Sequence, residues 1–453
     1  MFRSIDPATG RLLAEYAPHD PAEISRRLDA AVSAFAGWRH ETIGHRAGPM
    51  RRLAAVLRRD RDGLTRLAVK EMGKPVVQAE AEVEKCAACC EHYAARASAY
   101  LTPEAVTTDA TRSGVVFDPL GVVLAVMPWN FPFWQVIRAA VPAVMAGNTV
   151  VLKHASNVMG CAQALERAFA DAGFPRGVFA ALLIEAARAE PLVEDPRIAA
   201  VTLTGSEPAG RAIASRAGAA LKKAVLELGG SDPFVVLADA DPEAVARAAT
   251  DARVQNNGQS CIAAKRFIVE EPVAAAFETA FTRLMSELPV GDPMDRATRV
   301  GPLARPDLVD DLDRQVRESI AAGAKVATGG QRLERPGSFY APTVLTGVSP
   351  GMPAFDEETF GPLAAVTRAR DTAAAIALAN ASGFGLGASL WTADARRGED
   401  LARGLEAGSV FVNGIVRSDS RLPFGGVKRS GYGRELSSFG IREFVNVKTF
   451  WVR

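Results

Sequence analysis

As far as Tyr100, the chain places apolar residues mainly at helical spacing. The pair Asp20-Pro21 combines an acidic cap with a proline in the first turn, which predicts a helix that begins there and runs to Trp38. Several more helices are predicted before Tyr100, and one of them covers residues 76–100. The beginning of the chain is therefore predicted to be mainly helical.

From Gly121 onward the pattern changes to short apolar runs separated by helical stretches. The runs occupy residues 122–127, 149–153, 178–183, 198–203 and 224–228. This alternation predicts βαβ units and a parallel sheet. A second set of such runs begins at residues 234–237, includes 266–269 and 388–391, and ends near 409–413. It predicts a second α/β domain.

Composition narrows the class of protein and of ligand. A chain of 453 residues exceeds what one hydrophobic core usually serves, so two or three domains are expected. Its 53 basic and 52 acidic side chains give a net charge of +1, which offers no electrostatic reason to expect nucleic acid or an anionic membrane as partner. The N-terminus lacks a signal-peptide h-region, and no run approaches the ~18 apolar residues of a membrane span. We therefore expect a cytoplasmic protein that binds small molecules.

The five cysteines predict free thiols, since an odd count agrees with a reducing compartment. Cys86 and Cys89, with Cys90 and His92 close by, have the spacing at which zinc sites begin. The three cysteines nevertheless share one face of the predicted helix, and no second ligand pair exists elsewhere. We therefore predict that these cysteines pack in the core and that the protein has no metal site.

Cys261 stands at the end of a glycine-containing turn, Asn-Gly-Gln-Ser-Cys at residues 257–261. An isolated thiol on such a turn suits a nucleophile, because backbone amides can lower the thiol's pKa and hold the oxyanion that forms when it attacks a carbonyl. A lone cysteine is also commonly a small buried apolar residue. The turn alone leaves both interpretations open.

Further motifs surround Cys261 in a fixed order. They are Pro-Trp-Asn-Phe-Pro at 128–132, Leu-Thr-Gly-Ser at 203–206, Glu-Leu-Gly-Gly at 227–230, Glu-Glu-Thr-Phe-Gly-Pro at 357–362 and Pro-Phe-Gly-Gly-Val-Lys at 423–428. With them the chain resembles the NAD(P)-dependent aldehyde dehydrogenase superfamily over nearly its whole length. Within that superfamily it looks most like the bacterial succinate-semialdehyde dehydrogenases, chiefly through residues 133–138, 152–161 and 229–234.

The resemblance implies an α/β fold of the aldehyde dehydrogenase type. A Rossmann-type NAD(P)-binding domain is expected at residues 1–97 and 121–229, and an α/β catalytic domain at 230–426. Small β oligomerisation elements are expected at 98–120 and 427–453, where a hairpin near 98–120 pairs with the C-terminal tail. Alternating apolar and polar positions in these segments suit such edge strands. A homodimer or homotetramer is implied.

The resemblance also implies catalytic roles. Cys261 is expected to attack the aldehyde, while the Asn130 side-chain amide and the Cys261 backbone N–H stabilise the oxyanion. After hydride transfer to the nicotinamide, Glu227 is expected to activate the water that hydrolyses the resulting thioester. Glu227 ends an apolar run, where the carboxyl edge of a parallel sheet normally opens a site. In isolation, Asn130 would be an ordinary turn asparagine.

Seven positions match the cofactor site of the family: Trp129, Lys153, Ser156, Gly205, Ser206, Glu358 and Phe360. Gly205 and Ser206 follow a predicted strand and open a helix, whose N–H groups can face a phosphate or a nicotinamide. Lys153 is expected to reach the adenosine ribose, and Glu358 with Phe360 the nicotinamide-side ribose. Without the resemblance these positions would be an ordinary turn, a solvated lysine and an acidic loop.

Ser156 occupies a position where the family often has glutamate. A carboxylate there accepts from the ribose 2′-hydroxyl and repels a 2′-phosphate. Since serine lacks the repelling charge, we expect NADP to be the preferred cofactor, with NAD also accepted.

Substrate residues follow the resemblance only in part. Arg138 matches one arginine that holds the far carboxylate of succinate semialdehyde, and Ser418 approximately matches a serine at the same place. The second family arginine is Gln255 here, so Arg417 or Arg421 would have to supply the missing charge. The alternatives are another short aldehyde, such as glutarate semialdehyde or an uncharged aliphatic or aromatic one, and a non-catalytic structural member of the fold. Retention of the three catalytic residues argues against the latter.

Overall fold

The protein, described by a computed structural model over all of residues 1–453, consists of helices, two large parallel sheets and three small sheets. The α-helices are Pro21–Trp38 (α1), Ile43–Arg59 (α2), Arg61–Met72 (α3), Val76–Tyr100 (α4), Trp134–Ala146 (α5), Met159–Asp171 (α6), Ala186–Glu194 (α7), Glu207–Ala219 (α8), Pro242–Val254 (α9), Glu271–Ser286 (α10), Pro306–Ala321 (α11), Pro353–Asp356 (α12), Thr372–Asn380 (α13), Ala395–Ala402 (α14) and Ser437–Arg442 (α15). The predicted helix after Asp20 is confirmed, and the Asp20 carboxylate caps it by accepting from the Glu23 N–H at 2.7 Å.

The strands follow the predicted apolar runs closely. They are Phe2–Ile5 (β1), Leu12–Tyr16 (β2), Glu104–Ala105 (β3), Arg112–Pro119 (β4), Val122–Val126 (β5), Thr149–Lys153 (β6), Phe179–Leu182 (β7), Ile198–Thr204 (β8), Lys223–Glu227 (β9), Pro233–Val236 (β10), Arg266–Glu270 (β11), Lys325–Thr328 (β12), Thr343–Thr346 (β13), Leu363–Ala369 (β14), Phe384–Gly385 (β15), Gly387–Trp391 (β16), Ser409–Val412 (β17), Val427–Lys428 (β18), Gly431–Tyr432 (β19) and Val445–Val452 (β20). Every residue of β6, β10 and β11 is buried, as expected for parallel strands that are covered on both faces.

Two of the sheets position the site. One has six strands in the order β19-β9-β8-β5-β6-β7, all parallel except β19. The other has seven strands in the order β12-β13-β14-β11-β10-β16-β17, all parallel except the β12–β13 pair. The prediction of two α/β units with parallel sheets is therefore confirmed.

A smaller sheet joins the C-terminal tail to the middle of the chain. Strand β20 pairs antiparallel with β4 over eight residues, from Val445 opposite Pro119 to Val452 opposite Arg112. The structure thus pairs the tail with the hairpin region that the resemblance indicated. Strand β19 from the same C-terminal segment instead extends the six-stranded sheet. The domain limits given above remain a proposal.

The N-terminal cysteine cluster lies in the core. Cys86, Cys89 and Cys90 are fully buried on one face of α4, and the His92 ring lies 3.1 Å from the Tyr100 hydroxyl. All five cysteines are free thiols. Nowhere in the protein do three or more His, Cys, Asp or Glu side chains gather as ligands for a metal ion. None of the helices has the length and apolar character that crossing a membrane requires.

Candidate active site

Cys261 lies on a loop with an unusual backbone. Between α9 and the cysteine, Asn256, Asn257 and Gly258 all adopt left-handed conformations, with φ of 55°, 59° and 74°. Asparagine tolerates this region better than most residues. Glycine is required at 258, because a β-carbon there would lie 2.1 Å from the Gly361 carbonyl oxygen. The predicted tight turn is therefore present.

Buried side chains hold this loop in place. The Asn257 amide donates to the carbonyls of Gly73 and Pro302 at 2.9 Å each, and accepts from the Gly301 N–H at 2.8 Å. The Lys265 ammonium donates to three loop carbonyls at 2.9–3.0 Å, including that of Cys261. These contacts from distant segments hold Cys261 in one position, as a nucleophile would require.

Two cavities meet at Cys261. The first encloses about 410 Å³ and is lined by 18 residues, which include the predicted substrate residues Arg138, Gln255 and Ser418. The second encloses about 480 Å³ and includes the predicted residues Trp129, Asn130, Lys153, Gly205, Ser206, Glu358 and Phe360. Cys261 belongs to both linings. We name them the substrate cavity and the cofactor groove.

The expected oxyanion donors are available. The Asn130 Nδ2 donates one hydrogen bond to the Gln259 carbonyl at 3.0 Å, which leaves its second N–H free. The Cys261 backbone N–H has no acceptor within the protein. Asn130 itself is buried, and its backbone carbonyl oxygen accepts from the Asn256 side-chain amide at 2.8 Å. Two fixed donors next to a thiol are the arrangement that stabilises a tetrahedral oxyanion.

The environment of Cys261 favours the protonated thiol. Burial raises its pKa to about 12, while the positive charges of Arg138 and Lys265 lower it only in part. The sequence left the resting pKa of Cys261 open, and in the structure desolvation outweighs the nearby charges. Formation of the thiolate therefore needs a base or a further positive charge that arrives with a ligand.

Glu227 ends β9 beside Leu228 and Gly229, two residues of the cofactor groove. Its side chain is 2% exposed, and neither carboxylate oxygen has a hydrogen-bond partner. Burial and the neighbouring Glu435 carboxylate raise the pKa of Glu227 well above its ordinary value. A raised pKa makes the carboxylate a stronger proton acceptor, which suits a general base.

Arg138 is deeply enclosed. Its guanidinium is 2% exposed, forms an ion pair with the buried Glu435 and lies over the Phe424 ring at 4.6 Å. One terminal nitrogen lies 3.4 Å from the Thr204 hydroxyl. The structure thus places Arg138 in the wall of the substrate cavity and also gives it a carboxylate partner on its far side.

Arg417 and Arg421 differ in their position relative to the substrate cavity and in their charge partners. Arg417 is exposed and lines the substrate cavity, whereas Arg421 does not line it. The Arg421 guanidinium forms a bidentate pair with Asp419 at 2.6 and 2.8 Å. Of the two substitutes considered for the missing arginine, only Arg417 is near the cavity.

The cofactor groove contains donors that lack partners. Lys153 ends β6, has no carboxylate within ion-pair distance, and burial lowers its pKa. Ser156 lies in an adjoining cavity of about 750 Å³, which shares Arg305 with the groove. There the buried Nδ2 of Asn157 also has no partner. Unpaired donors along a connected cleft fit the hydroxyl and phosphate oxygens of a dinucleotide.

The other end of the groove carries an acceptor and aromatic rings. The Glu358 carboxylate accepts from the Gly230 N–H at 2.9 Å, and burial raises its pKa. The Trp129 and Phe360 rings meet edge to face, with centroids 5.7 Å apart. Glu358 and Phe360 therefore line the same groove as Cys261.

Sequence reasoning missed Lys85, Trp134, Lys265 and Glu435. Lys265 and Glu435 carry no local signal, because their partners lie on other elements. Lys85 had one. Gln78, Glu82 and Lys85 form a polar stripe at positions i, i+4 and i+7 of α4, on a helix whose inward face is otherwise apolar. All three line the substrate cavity.

Comparison with known proteins identifies the family of this chain. Residues 1–450 match the aldehyde dehydrogenase family. The chain is 52% identical to a probable NADP(+)-dependent succinate-semialdehyde dehydrogenase of Synechocystis, covering 99% of both chains. It is 48% identical to the NAD(P)+-dependent succinate semialdehyde dehydrogenase of Escherichia coli, covering 99% and 97%. The crystal structure of the Streptococcus pyogenes succinic semialdehyde dehydrogenase with NADP+ matches all of both chains, with a TM-score of 0.97 and 35% identity.

Proposed function

This chain belongs to the aldehyde dehydrogenase family, and from that premise we propose that it oxidises succinate semialdehyde to succinate with NADP as the preferred hydride acceptor. One observation carries the proposal. Cys261 lies where a cleft suited to a dinucleotide meets a cavity with an excess of positive charge. The relatives described above bear names with the same substrate and cofactors.

The proposed reaction begins at Cys261. Cys261 first loses its thiol proton to solvent. The thiolate sulfur then attacks the aldehyde carbon and forms a thiohemiacetal, whose oxyanion accepts from the free Asn130 N–H and the Cys261 backbone N–H. Bound nicotinamide supplies the hydride acceptor. Loss of hydride leaves a thioester on Cys261. Glu227 then takes a proton from water, whose oxygen adds to the thioester carbon, and the C–S bond breaks to release the acid and the thiolate.

Different residues of the cofactor groove would bind different parts of the cofactor. We assign Lys153 and Ser156 to the adenosine ribose, Gly205 and Ser206 to the phosphates or nicotinamide, and Glu358 with Phe360 to the second ribose. Gly205 and Ser206 precede α8, so its N-terminal N–H groups face the groove. Trp129 supports the wall through its contact with Phe360.

Substituting Ser156 with glutamate should shift cofactor preference toward NAD. The new carboxylate would repel a 2′-phosphate and accept from a 2′-hydroxyl, and a like-charge contact costs a few kcal/mol. The NADP/NAD ratio of kcat/KM should therefore fall by about ten-fold or more. Ser156→Gln is the matched control, since it adds similar bulk without charge. An unchanged ratio in the glutamate variant would show that position 156 does not contact the ribose.

The substrate proposal is tested by ranking aldehydes through the absorbance of the reduced cofactor. Succinate semialdehyde, glutarate semialdehyde, butyraldehyde and benzaldehyde differ in length and terminal charge. We expect the highest kcat/KM with succinate semialdehyde, because the cavity offers positive charge to its far carboxylate. An equal value for butyraldehyde would contradict the charged substrate, and absence of turnover with every aldehyde would favour the non-catalytic alternative.

We further propose a cytoplasmic homodimer or homotetramer. Its contact surface would include β20, where Val447, Trp451 and Val452 are between 44% and 61% exposed. Exposed apolar side chains on a terminal strand are what a partner subunit would cover. The cytoplasmic location rests on the five free thiols, which suit a reducing compartment.

A further inference from the structure

The substrate cavity has more positive charge than its own side chains neutralise. The charged residues in its lining are Glu82, Lys85, Arg138, Asp251, Arg299 and Arg417. Both carboxylates already have partners, since Glu82 forms a buried ion pair with Lys74 and Asp251 pairs with Arg299 at 2.5 Å. Neither is therefore available to neutralise another cation in the cavity.

Arg138 is also neutralised. Its ion pair with Glu435 lies on the side of the site that holds Glu227, and its flat face is covered by Phe424. Two cations of the lining, Lys85 and Arg417, have no carboxylate within ion-pair distance. Arg417 is exposed, whereas Lys85 is partly buried. Lys85 is therefore the enclosed cation whose charge lacks a partner.

Donors converge next to Lys85. The Lys85 ammonium donates to the Ser418 hydroxyl oxygen at 2.7 Å, and the Trp134 indole N–H donates to the same oxygen at 3.2 Å. Because that oxygen accepts two hydrogen bonds, the Ser418 hydroxyl hydrogen is free to donate. Two further N–H groups of Lys85 also lack a protein acceptor. Three donors without acceptors around one point form a site for an anion.

The surroundings of Lys85 oppose its charge. Burial, and to a lesser extent the charge of Arg138, lowers the pKa of Lys85 to about 8. The Trp134 ring, 4.2 Å from the ammonium nitrogen, offers only a cation–π contact in return. A ligand carboxylate would supply the missing countercharge.

We propose that Lys85, together with the Ser418 hydroxyl, binds the carboxylate at the far end of the substrate. Trp134 acts as a positioning residue, because its indole N–H orients Ser418. Arg138 then serves the Glu227 side of the site through Glu435. This inference rests on the proposed function, in which the substrate is a semialdehyde with a terminal carboxylate. It explains how a chain with glutamine at 255 still recognises that carboxylate.

The first experiment compares succinate semialdehyde with butyraldehyde, which has the same chain length but no carboxylate. In Lys85→Met, the ratio of their kcat/KM values should fall about thirty-fold or more, because a charge-assisted contact is lost for one substrate only. KM for succinate semialdehyde should account for most of the fall. Lys85→Arg, which keeps the charge, should recover most of the ratio.

Ser418→Ala provides a second variant that removes one donor with little change in volume. We expect it to lower the same ratio by about five-fold. Arg299→Met is the matched control, since it removes a cation from the same wall whose charge Asp251 already neutralises. It should change the ratio by less than about three-fold.

Succinate binding, measured by calorimetry, provides a readout that does not need turnover. Wild-type protein should bind succinate, and Lys85→Met should weaken that binding about thirty-fold or more. If the wild-type kcat/KM values for succinate semialdehyde and butyraldehyde were nearly equal, the proposed substrate would be overturned. If succinate binding still depended on Lys85 in that case, the anion site would stand. A selective wild type whose ratio and succinate affinity survive in Lys85→Met would overturn the assignment of Lys85 alone.

Discussion

Replacing Cys261 with alanine is expected to abolish aldehyde oxidation, with kcat reduced at least about 10⁴-fold. The reason is chemical, because no other thiol reaches the junction of the substrate cavity and the cofactor groove. Without the sulfur no thiohemiacetal forms, and hydride would have to leave an ordinary aldehyde hydrate. The measurement is the steady-state rate of cofactor reduction at saturating succinate semialdehyde.

Two controls separate lost chemistry from lost structure. The dissociation constant for NADP, measured by quenching of tryptophan fluorescence, should stay within about three-fold, because the thiol supplies covalent chemistry rather than cofactor affinity. Cys90→Ala is the matched variant, since that cysteine is fully buried in α4 away from both cavities and should retain turnover. Appreciable turnover in Cys261→Ala would remove Cys261 from the role of nucleophile.

Replacing Glu227 with glutamine should separate the two halves of the reaction. We expect kcat to fall by about 10²–10⁴-fold, the usual contribution of a general base, while a burst of about one reduced cofactor per site remains. Glutamine has the same shape, and neither oxygen of Glu227 has a hydrogen-bond partner to lose. The loss should therefore lie in thioester hydrolysis, which rapid-mixing absorbance measurements resolve from the first hydride transfer.

The pH dependence of thioester hydrolysis provides a second test of Glu227. Glu227 must be deprotonated to accept a proton, and burial with the Glu435 charge raises its pKa above the ordinary carboxyl range. In the wild type, hydrolysis should therefore accelerate as pH rises across that raised pKa, and the glutamine variant should lose this rise.

Hydroxylamine is the control for the thioester, because it is a strong nucleophile at neutral pH and needs no base. Added to Glu227→Gln, it should restore turnover. Loss of the burst with hydrolysis intact would assign Glu227 to the first step instead.

Local sequence patterns were sufficient to predict the main helices and strands and to propose Cys261 as the nucleophile. The helix over residues 76–100 and the strand over 149–153 have the same limits in the structure as in the sequence pattern. Hydrophobic periodicity depends on near neighbours, so it survives without knowledge of the fold. The turn before Cys261 likewise depends on short-range backbone conformation. Its catalytic meaning came from motifs in a fixed order, which the family match supports.

Local sequence patterns could not predict which charged side chains lie next to each other in the fold. Lys85 and Ser418 are 333 positions apart, yet their side chains lie 2.7 Å from one another. Arg138 was assigned to the substrate by resemblance, and its ion pair with Glu435 became visible only in the folded chain. A contact between distant segments depends on how helices pack on sheets, and no spacing along the chain encodes it directly.

By itself, therefore, the sequence determined the α/β elements and the family, and it proposed Cys261, Asn130 and Glu227 as catalytic residues, because all of these depend on local periodicity and on motifs. The tertiary structure decided the raised pKa values of Cys261 and Glu227 and the distribution of charge around the substrate cavity. Both follow from desolvation and from distances between segments far apart in the chain, which exist only after the core has formed.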